Sequence, residues 1–415
     1  MAAHSRAAVF FFAMHDDLSI LTLLPQFPFD PSGGAVRCMD TISRFLASSD
    51  TRVTTLGTFA TERAKSSTAS SPKDILRAMN LSHQSAGGFL RFRHSEIDYI
   101  LLDTGDHDPI SWQKDAALRA AFDRELTKIL DSFRPRVVHT FGAGPPELAR
   151  QKICRDHGAA VALSVRNNAY FDPTYFEHAD SVLTPSQFLS DQLRSRIGVE
   201  SVALPVPMNF TDIFSPAREP VFTTFINPSI DKGVFFFARL AEELSRERPD
   251  IPIMVVESRG TAGTLAAAAK AGNFDLARHQ NIMISPGVPN PRDIYAVSRV
   301  LLAPSIVEET AGRVLVEAII NGVVPIASGK GGMTETMRGA GFILPLPASA
   351  TMDSRTPPSA AEVTDWKDLV IRLCDDEPFY QQHSAKAKQT ADFYREENLA
   401  PMYADYFRTI QTRVC

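Results

Sequence analysis

The chain has 415 residues, of which 44% are hydrophobic, 22% charged and 9% aromatic, a composition typical of a globular protein large enough for two domains. This excludes a disordered chain, a small disulfide-bonded protein and a fibrous repeat. With 43 lysines and arginines against 48 aspartates and glutamates, the formal charge of −5 argues against a general nucleic-acid-binding protein, although a local basic patch is compatible with it.

An apolar run over residues 7–14 is too short to span a bilayer, and no small-residue cleavage site follows it. We therefore predict an additional N-terminal strand rather than a signal peptide. The four cysteines form no C-x-x-C pair, which favours free thiols in a reducing compartment over a disulfide or metal framework. No basic amphipathic helix supports attachment to a membrane. We expect a soluble cytoplasmic protein.

The first half of the chain alternates short apolar runs with segments of helical period, which predicts a parallel sheet covered by helices on both faces. The predicted strands are 20–24, 52–56, 99–102, 136–139, 160–165 and 181–183. The predicted helices are 35–46, 117–133, 147–156 and 187–197.

The pattern breaks into a proline-rich stretch around residues 204–220 and then begins again. The predicted strands of this second unit are 223–226, 253–256, 282–284, 300–303 and 323–327. Its predicted helices are 234–246, 264–271, 291–297, 313–321, 366–373 and 384–407. We expect two doubly wound α/β domains, 1–210 and 211–391, with the ligand cleft between them at the carboxyl ends of the strands. The last helix, about 392–415 in this division, is expected to cross back to the first domain.

One loop and the helix after it carry the most chemical information. The loop that follows the strand at 300–303 holds Glu309, and a helix beginning near Gly312 holds Glu317 among apolar residues on nearly every side. A buried carboxylate needs a partner. Glu317 therefore either pairs with Arg313 one turn earlier or accepts hydrogen bonds from ligand hydroxyls. The backbone N–H groups at Gly312 and Arg313 are suited to an anion.

These residues resemble a family motif. Glu309, seven intervening residues and Glu317 match the E-x7-E motif of retaining, GT-B-fold glycosyltransferases of family 4. The surrounding residues match it as well: Pro304-Ser305, Gly312, Ala318, Asn321-Gly322, Pro325-Ile326-Ala327-Ser328, Gly331-Gly332 and Glu335. The sequence departs from the family at Ala311, where the family usually has an aromatic residue. This departure bears on the shape of the sugar pocket.

The resemblance implies two Rossmann-like domains facing each other across a cleft, with the acceptor on the first and the nucleotide sugar on the second. It implies transfer of a sugar from a UDP- or GDP-sugar to an acceptor hydroxyl, with retention of anomeric configuration and no required metal. The acceptor class is open among carbohydrates, lipid-linked molecules, proteins and small molecules. By position, Glu309 contacts the donor sugar hydroxyls and acts as a catalytic residue, and Glu317 contacts the ribose.

Three further residues are candidates for the donor diphosphate. Lys232 matches the lysine with which the family holds the diphosphate, although a solvated loop lysine is the local alternative. Asn227 stands where the family has an arginine. We hypothesise that Arg259, at the end of the next strand, supplies the missing charge.

The first domain offers the remaining candidates. Gly33 and Gly34 match a glycine-rich loop that faces the donor in this family, while an ordinary turn is the local alternative. His139 is a candidate catalytic histidine at a strand end. Phe141 stands where the second histidine of the family's His-x-His is expected, so a structural role for His139 stays open. After the next strand, three polar residues face either the acceptor or solvent: Arg166, Asn168 and Tyr170.

Other classes of protein remain as alternatives. Asp106 and Asp108 form a D-x-D of the kind that holds a divalent cation in GT-A-fold glycosyltransferases, but a doubly wound second half does not suit that fold. We assign no metal ligands. A different GT-B enzyme, such as an epimerase or a phosphorylase, is one rival to the transferase. A non-catalytic protein that binds a nucleotide sugar is the other.

Overall fold

The computed structural model describes residues 18–31, 33–49, 51–62, 71–81, 83–288 and 290–414. The strand expected over residues 7–14 lies outside this part of the chain. Within it, one sheet of nine strands and one of six form the framework, and both are covered by helices. The two α/β units expected from the sequence are present.

The first sheet is assembled from strands between residues 19 and 203. Within the described residues, its strands are β1 (Ser19–Leu23), β2 (Arg52–Thr58), β3 (Gln84–Ala86), β4 (Phe89–His94), β5 (Ile97–Leu102), β6 (Val137–Thr140), β7 (Ala160–Ser164), β8 (Ser181–Thr184) and β9 (Val202–Ala203). They lie in the order β3-β4-β5-β2-β1-β6-β7-β8-β9. The β3–β4 and β4–β5 pairs are antiparallel, whereas the other pairs are parallel.

No strand is predicted from the sequence between residues 57 and 98, and the antiparallel hairpin of β3 and β4 was therefore missed. Its turn is Gly87-Gly88, and both residues have positive φ, of 61° and 83°. Glycine adopts this conformation without steric cost, and the pair is typical of a tight β-hairpin turn.

The second sheet uses strands from residue 222 onward. Within the described residues these are β10 (Phe222–Ile226), β11 (Ile253–Val256), β12 (Ile282–Ser285), β13 (Ser298–Ala303), β14 (Val324–Ala327) and β15 (Phe342–Ile343). Their order is β12-β11-β10-β13-β14-β15, and every pair is parallel. The connection between the two sheets, residues 204–221, contains the position predicted as the domain boundary.

Helices cover both sheets. Within the described residues they are α1 (Gly34–Ala47), α2 (Pro72–Ala78), α3 (Ala116–Phe133), α4 (Pro145–Asp156), α5 (Gln187–Ile197), α6 (Phe210–Ile213), α7 (Val234–Glu247), α8 (Ala262–Ala271), α9 (Pro291–Val297), α10 (Arg313–Ile320), α11 (Met333–Met337), α12 (Thr364–Asp375), α13 (Glu377–Ala391) and α14 (Glu396–Val414).

The single helix predicted over residues 384–407 was wrong, because the chain divides it into α13 and α14. Arg395 between them has extended backbone. The hydroxyl of buried Tyr394 donates a hydrogen bond to the carbonyl of Thr336 at 2.6 Å, which holds this break against the second domain.

Beyond the break, α14 lies on the first sheet's side of the molecule. Tyr403 packs against Phe45 of α1 and donates a hydrogen bond to the carbonyl of Pro205 at 2.7 Å. The hydroxyl of Tyr406 donates to Ser181 of β8 at 3.0 Å. The largest apolar cluster of the described residues includes side chains of α1, α10 and α14. This cluster therefore joins the two halves of the molecule.

The connectivity places loops from both sheets at one cleft. β1 pairs with β2 on one side and β6 on the other, and β10 is flanked in the same way by β11 and β13. Such a reversal of strand order opens a crevice at the carboxyl ends of the strands. The loops that leave β1, β10 and β13 lead directly into α1, α7 and α10. These loops and helices carry the following residues singled out in the sequence: Gly33, Gly34, Asn227, Lys232, Glu309, Gly312, Arg313 and Glu317.

Candidate functional site

The loop after β13 is held in place by its neighbours. The backbone of Glu309 forms a β-bridge with Gly331, and its carbonyl accepts a hydrogen bond from the N–H of Gly332 at 2.8 Å. The loop after β10 packs against its other side, where a Cβ on Gly233 would lie 2.1 Å from the carbonyl oxygen of Pro304. Gly233, with φ of 81°, is therefore required for the close approach of the two loops.

This approach brings Lys232 to Glu309. The Oε1 atom of Glu309 accepts hydrogen bonds from Nζ of Lys232 and from Oγ of Ser305, the latter at 2.7 Å. The side chains of Lys232 and Glu309 are 25% and 15% exposed, so the pair is partly open to the cleft. Oε2 of Glu309 makes no hydrogen bond within the described part of the chain. The result is a fixed carboxylate with one oxygen available to a ligand.

Asn227 and Arg259 are both engaged by protein groups. Oδ1 of buried Asn227 accepts a hydrogen bond from the backbone N–H of Gly260 at 2.7 Å, so this side chain braces the start of the next loop. Nη2 of Arg259 lies 3.4 Å from Oδ2 of Asp231, and the side chain is 60% exposed. The two residues do lie together beside Lys232, but Arg259 already has a carboxylate partner there.

Glu317 is enclosed by partners. Its Oε1 atom accepts a hydrogen bond from Nε of Arg313 at 2.8 Å, and its Oε2 atom accepts one from the hydroxyl of Tyr295 at 2.9 Å. Glu317 is only 6% exposed. Burial, together with this carboxylate, raises the pKa of Tyr295 well above its usual range. The helix pair with Arg313, one of the two interpretations of the sequence, is present.

The amino ends of α1 and α10 meet across the cleft. Gly33 is buried and Gly34 is exposed as the first residue of α1. One turn further on, Sγ of Cys38 lies 3.4 Å from Nη1 of Arg313. Burial alone would lower the pKa of Arg313, but Cys38 and Glu317 outweigh it and raise the pKa above its usual value. Arg37, beside Cys38, was missed in the sequence and also lies at this contact.

His139 lies inside the first domain. Its ring is fully buried, with Nε2 2.7 Å from Oγ of Ser164 and the ring centre 5.0 Å from that of Phe407 on α14. Burial, reinforced by the charge of Arg166, lowers the pKa of His139 well below its usual value. A neutral histidine covered by the last helix favours the structural role over the catalytic one.

The three candidates on the acceptor side lie in different surroundings. Asn168 donates from Nδ2 to the carbonyl of Glu308 at 2.5 Å, and the carbonyl of Arg166 accepts from Oγ1 of Thr310 at 3.2 Å. Both therefore contact the loop that carries Glu309. Tyr170 instead points into the first domain, where its hydroxyl accepts from the N–H of Gly142 at 2.8 Å. Burial raises the pKa of Tyr170 to about 12.

Glu335 forms a second contact across the cleft, at the start of α5. Its carboxylate accepts hydrogen bonds from the N–H of Gln187 at 2.9 Å and of Phe188 at 3.2 Å. A carboxylate at a helix amino end is favoured by unpaired N–H groups and by the helix dipole. Beside it, Oγ of Ser186 donates to the carbonyl of Thr310. Glu335 belonged to the matching motif, but this contact was not predicted.

Asp106 and Asp108 lie on an exposed turn after β5. Oδ1 of Asp108 accepts from the N–H groups of Ile110 at 2.8 Å and Ser111 at 2.9 Å, which lowers the pKa of that carboxyl and accounts for its position. Among the residues that the structure describes, no group of three or more histidine, cysteine, aspartate or glutamate side chains is arranged to hold a metal ion.

Within the same residues, no helix combines the length and apolar character needed to cross a membrane. The three cysteines in this part of the chain, Cys38, Cys154 and Cys374, are free thiols.

Comparison with known proteins supports the sequence interpretation. A sequence model of Glycosyltransferase Family 4 matches residues 32–206, which form most of the first α/β unit. Direct comparison with curated protein sequences gave no match.

Solved structures match over nearly the whole chain. A glycosyltransferase from Rickettsia africae superposes with a TM-score of 0.66 at 15% identity, covering 95% of this chain and 99% of that one. A sucrose-phosphate synthase from Thermosynechococcus elongatus gives 0.66 at 14% identity, covering 95% and 100%. The Anabaena protein HepE, solved in complex with UDP and glucose, gives 0.64 at 13% identity, covering 94% and 99%.

At these identities the structural matches establish the fold, which is that of the GT-B glycosyltransferases. Together with the family match, the E-x7-E motif and its surroundings place the chain beside the family 4 enzymes, which it resembles in fold and in motif. The comparisons thus support a glycosyltransferase of the GT-B type.

Proposed function

We propose that the protein transfers a sugar from a nucleoside-diphosphate sugar to an acceptor hydroxyl with retention of anomeric configuration, and that the reaction needs no metal. The observation that carries this proposal is the carboxylate of Glu309. It is fixed by Lys232 and Ser305, has one oxygen free, and lies beside the amino end of α10. HepE, which shares the fold, has been solved with UDP-glucose as well as with UDP.

In this proposal the donor lies between the loops after β10 and β13. The free Oε2 of Glu309 accepts a hydrogen bond from a sugar hydroxyl. Lys232 and the backbone N–H groups at Gly312 and Arg313 face the diphosphate, where negative charge develops as it departs. Each oxygen of Glu317 already accepts one hydrogen bond, and a carboxylate oxygen has a second lone pair that suits a ribose hydroxyl.

The reaction breaks the bond between the anomeric carbon and the β-phosphate oxygen, and the electron pair leaves with the nucleoside diphosphate. The acceptor oxygen bonds to the anomeric carbon on the same face. Its proton passes to an oxygen of the departing phosphate, so no protein base is assigned. The side chain of Asn168 and the backbone of Arg166 contact the loop of Glu309, and these two residues are proposed to bound the acceptor position, together with Gly33 and Gly34.

Closure of the cleft has a function in this scheme. Asn168, Ser186 and Glu335 already bridge the two halves beside Glu309. Exclusion of water from the closed site limits hydrolysis of the donor and strengthens the electrostatic interactions inside it.

The first experiment is a thermal-shift panel with UDP, GDP, ADP and their common sugar conjugates, with and without Mg²⁺. One nucleoside diphosphate is expected to raise the Tm without metal, by mass action on the folded state. The matching nucleotide sugar is then incubated with an acceptor library, and the anomeric configuration of the product is read by NMR. Binding without turnover would favour the non-catalytic alternative. An inverted product, or stabilisation that requires Mg²⁺, would contradict the proposal.

A further inference from the structure

The positive charges of the cleft differ in whether a carboxylate neutralises them. Lys232 pairs with Glu309, Arg259 with Asp231, and Arg313 with Glu317. Arg37 makes no side-chain hydrogen bond or ion pair with any residue that the structure describes. Lys232, which the resemblance assigns to the diphosphate, therefore already has a carboxylate partner, as do Arg259 and Arg313, whereas Arg37 of the first domain has none among the described residues.

The position of Arg37 is unfavourable for a cation in the absence of an anion. It lies half-buried one turn into α1, near the positive end of that helix dipole. The contact between Cys38 and Arg313 brings the amino end of α10 close to this turn of α1, where the charge of Arg313 acts on Arg37. Glu317 and Asp212 lie near enough to act on Arg37 electrostatically but not within ion-pair distance. Burial and the charge of Arg313 together lower the pKa of Arg37.

A diphosphate at this point would reverse each of these unfavourable interactions. It would accept hydrogen bonds from the guanidinium of Arg37 and from the N–H groups at the amino ends of α1 and α10. Its negative charge would also lie between the two like charges of Arg37 and Arg313. The second domain also lacks the cation that the family has at position 227. Asn227, which replaces the family's arginine, is committed to the backbone of Gly260, and Arg259 is exposed and paired.

We propose that Arg37 is a ligand of the donor diphosphate and supplies, from the first domain, the positive charge that an arginine would supply at position 227. This inference rests on the proposed function, because it needs a nucleoside diphosphate in the cleft. It adds a consequence: a phosphate ligand on α1 ties donor binding to contact between the two domains, so the closed cleft and the bound donor stabilise each other.

The test compares nucleotides that differ by one phosphate. Isothermal titration with UDP, GDP and ADP first identifies the diphosphate that the unmodified protein binds. That nucleotide and its monophosphate are then titrated into Arg37→Met, Arg37→Gln and Arg37→Lys. The control is Arg408→Met, which removes an exposed arginine on α14. Arg37→Met and Arg37→Gln are expected to weaken diphosphate binding about tenfold or more and monophosphate binding less than about threefold. Arg37→Lys and Arg408→Met should stay within about threefold of the unmodified protein.

Stability separates this role from a structural one. Since Arg37 faces a like charge without an anion, its removal should leave the Tm of the nucleotide-free protein unchanged or raise it. An unchanged ratio of diphosphate to monophosphate affinity in the two neutral variants would overturn the inference. So would a lower nucleotide-free Tm with equal losses for both nucleotides. If the unmodified protein bound none of the three diphosphates, the proposed function itself would fail, and the inference with it.

Discussion

Glu309 and Glu317 belong to one motif, yet their surroundings differ. Glu309 lies on a loop at the cleft, with one oxygen held by Lys232 and Ser305 and the other without a partner among the described residues. Glu317 lies within a helix, almost fully buried, with both oxygens occupied by Arg313 and Tyr295. The difference teaches that residue type and spacing define the motif, whereas its surroundings decide whether a carboxylate is free for a ligand or is also needed by the fold.

The comparison is tested most strongly at Glu317. Glu317→Gln removes the charge that neutralises Arg313 and leaves a guanidinium in a largely buried position. Breaking a buried ion pair on one side costs about 3–5 kcal/mol in the free energy of unfolding. We expect a loss near the lower end, about 3 kcal/mol, because Arg313 keeps some contact with solvent. Urea unfolding of the apoprotein measures it.

The matched control for that variant is the double variant Glu317→Gln, Arg313→Met, which removes both charges and should recover much of the lost stability. A single variant as stable as the unmodified protein would show that the pair does not support the fold. The contrast with Glu309 would then disappear.

Glu309 is expected to show the opposite behaviour. Glu309→Gln keeps the shape and the hydrogen bond from Ser305 but removes the charge at the proposed sugar position. We expect turnover to fall about 10²- to 10³-fold, the range seen when one electrostatic contact to a transition state is lost. The unfolding midpoint should change little, because Glu309 is partly exposed. Release of the nucleoside diphosphate from the donor measures turnover.

Glu308→Gln is the control for Glu309→Gln, since its exposed side chain carries the same charge on the same loop. An equal fall in turnover in the two variants would mean that the net charge of the loop, and not the position of Glu309, supports the reaction.

His139 extends the comparison to a third candidate, one that resembles Glu317 more than Glu309. Its pKa is lowered in the folded protein by burial and by Arg166, so the unfolded chain binds the proton more readily. The contribution of the neutral His139 ring to the free energy of unfolding is fully present above about pH 6.5, the usual pKa of histidine. It is lost progressively as the pH falls below that value.

We therefore expect the free energy of unfolding to fall by up to about 1.4 kcal/mol per pH unit below pH 6.5 from this residue. Urea titrations of the unmodified protein and of His139→Asn between pH 5 and pH 7.5 isolate the contribution of His139 to this pH dependence. If the two proteins showed the same slope, the low pKa of His139 would be refuted.

Local patterns predicted the framework because strand and helix periods are properties of neighbouring residues. The paired loops after β10 and β13 followed from the family motif. The hairpin of β3 and β4 carried a usable signal in Gly87-Gly88 but was missed. The break near Arg395 had no comparable local signal, since it depends on a hydrogen bond from Tyr394 to the distant Thr336.

The site was predictable in residue type but not in pairing. Lys232 and Glu309 are separated by 77 positions, and their contact exists because two parallel strands end at the same edge of a sheet. The contact between Arg313 and Cys38 spans 275 positions and depends on how the domains meet. No local pattern contains that information, and for this reason Arg37 was not a candidate.

The smallest expected effect separates the two hydrogen bonds of Glu317. Tyr295→Phe removes one hydroxyl from the Oε2 side and leaves the Arg313 pair intact. A single hydrogen bond to a charged group is worth about 1.5–3 kcal/mol, and the cost here should lie at the low end because the carboxylate keeps its cationic partner. Urea unfolding measures this loss in the free energy of unfolding. Because the pKa of Tyr295 is raised well above its usual value, the loss should be the same at pH 7 and at pH 9. A loss as large as that of Glu317→Gln would mean that Tyr295, and not Arg313, holds the carboxylate. The motif's second glutamate would then depend on α9 rather than on its own helix.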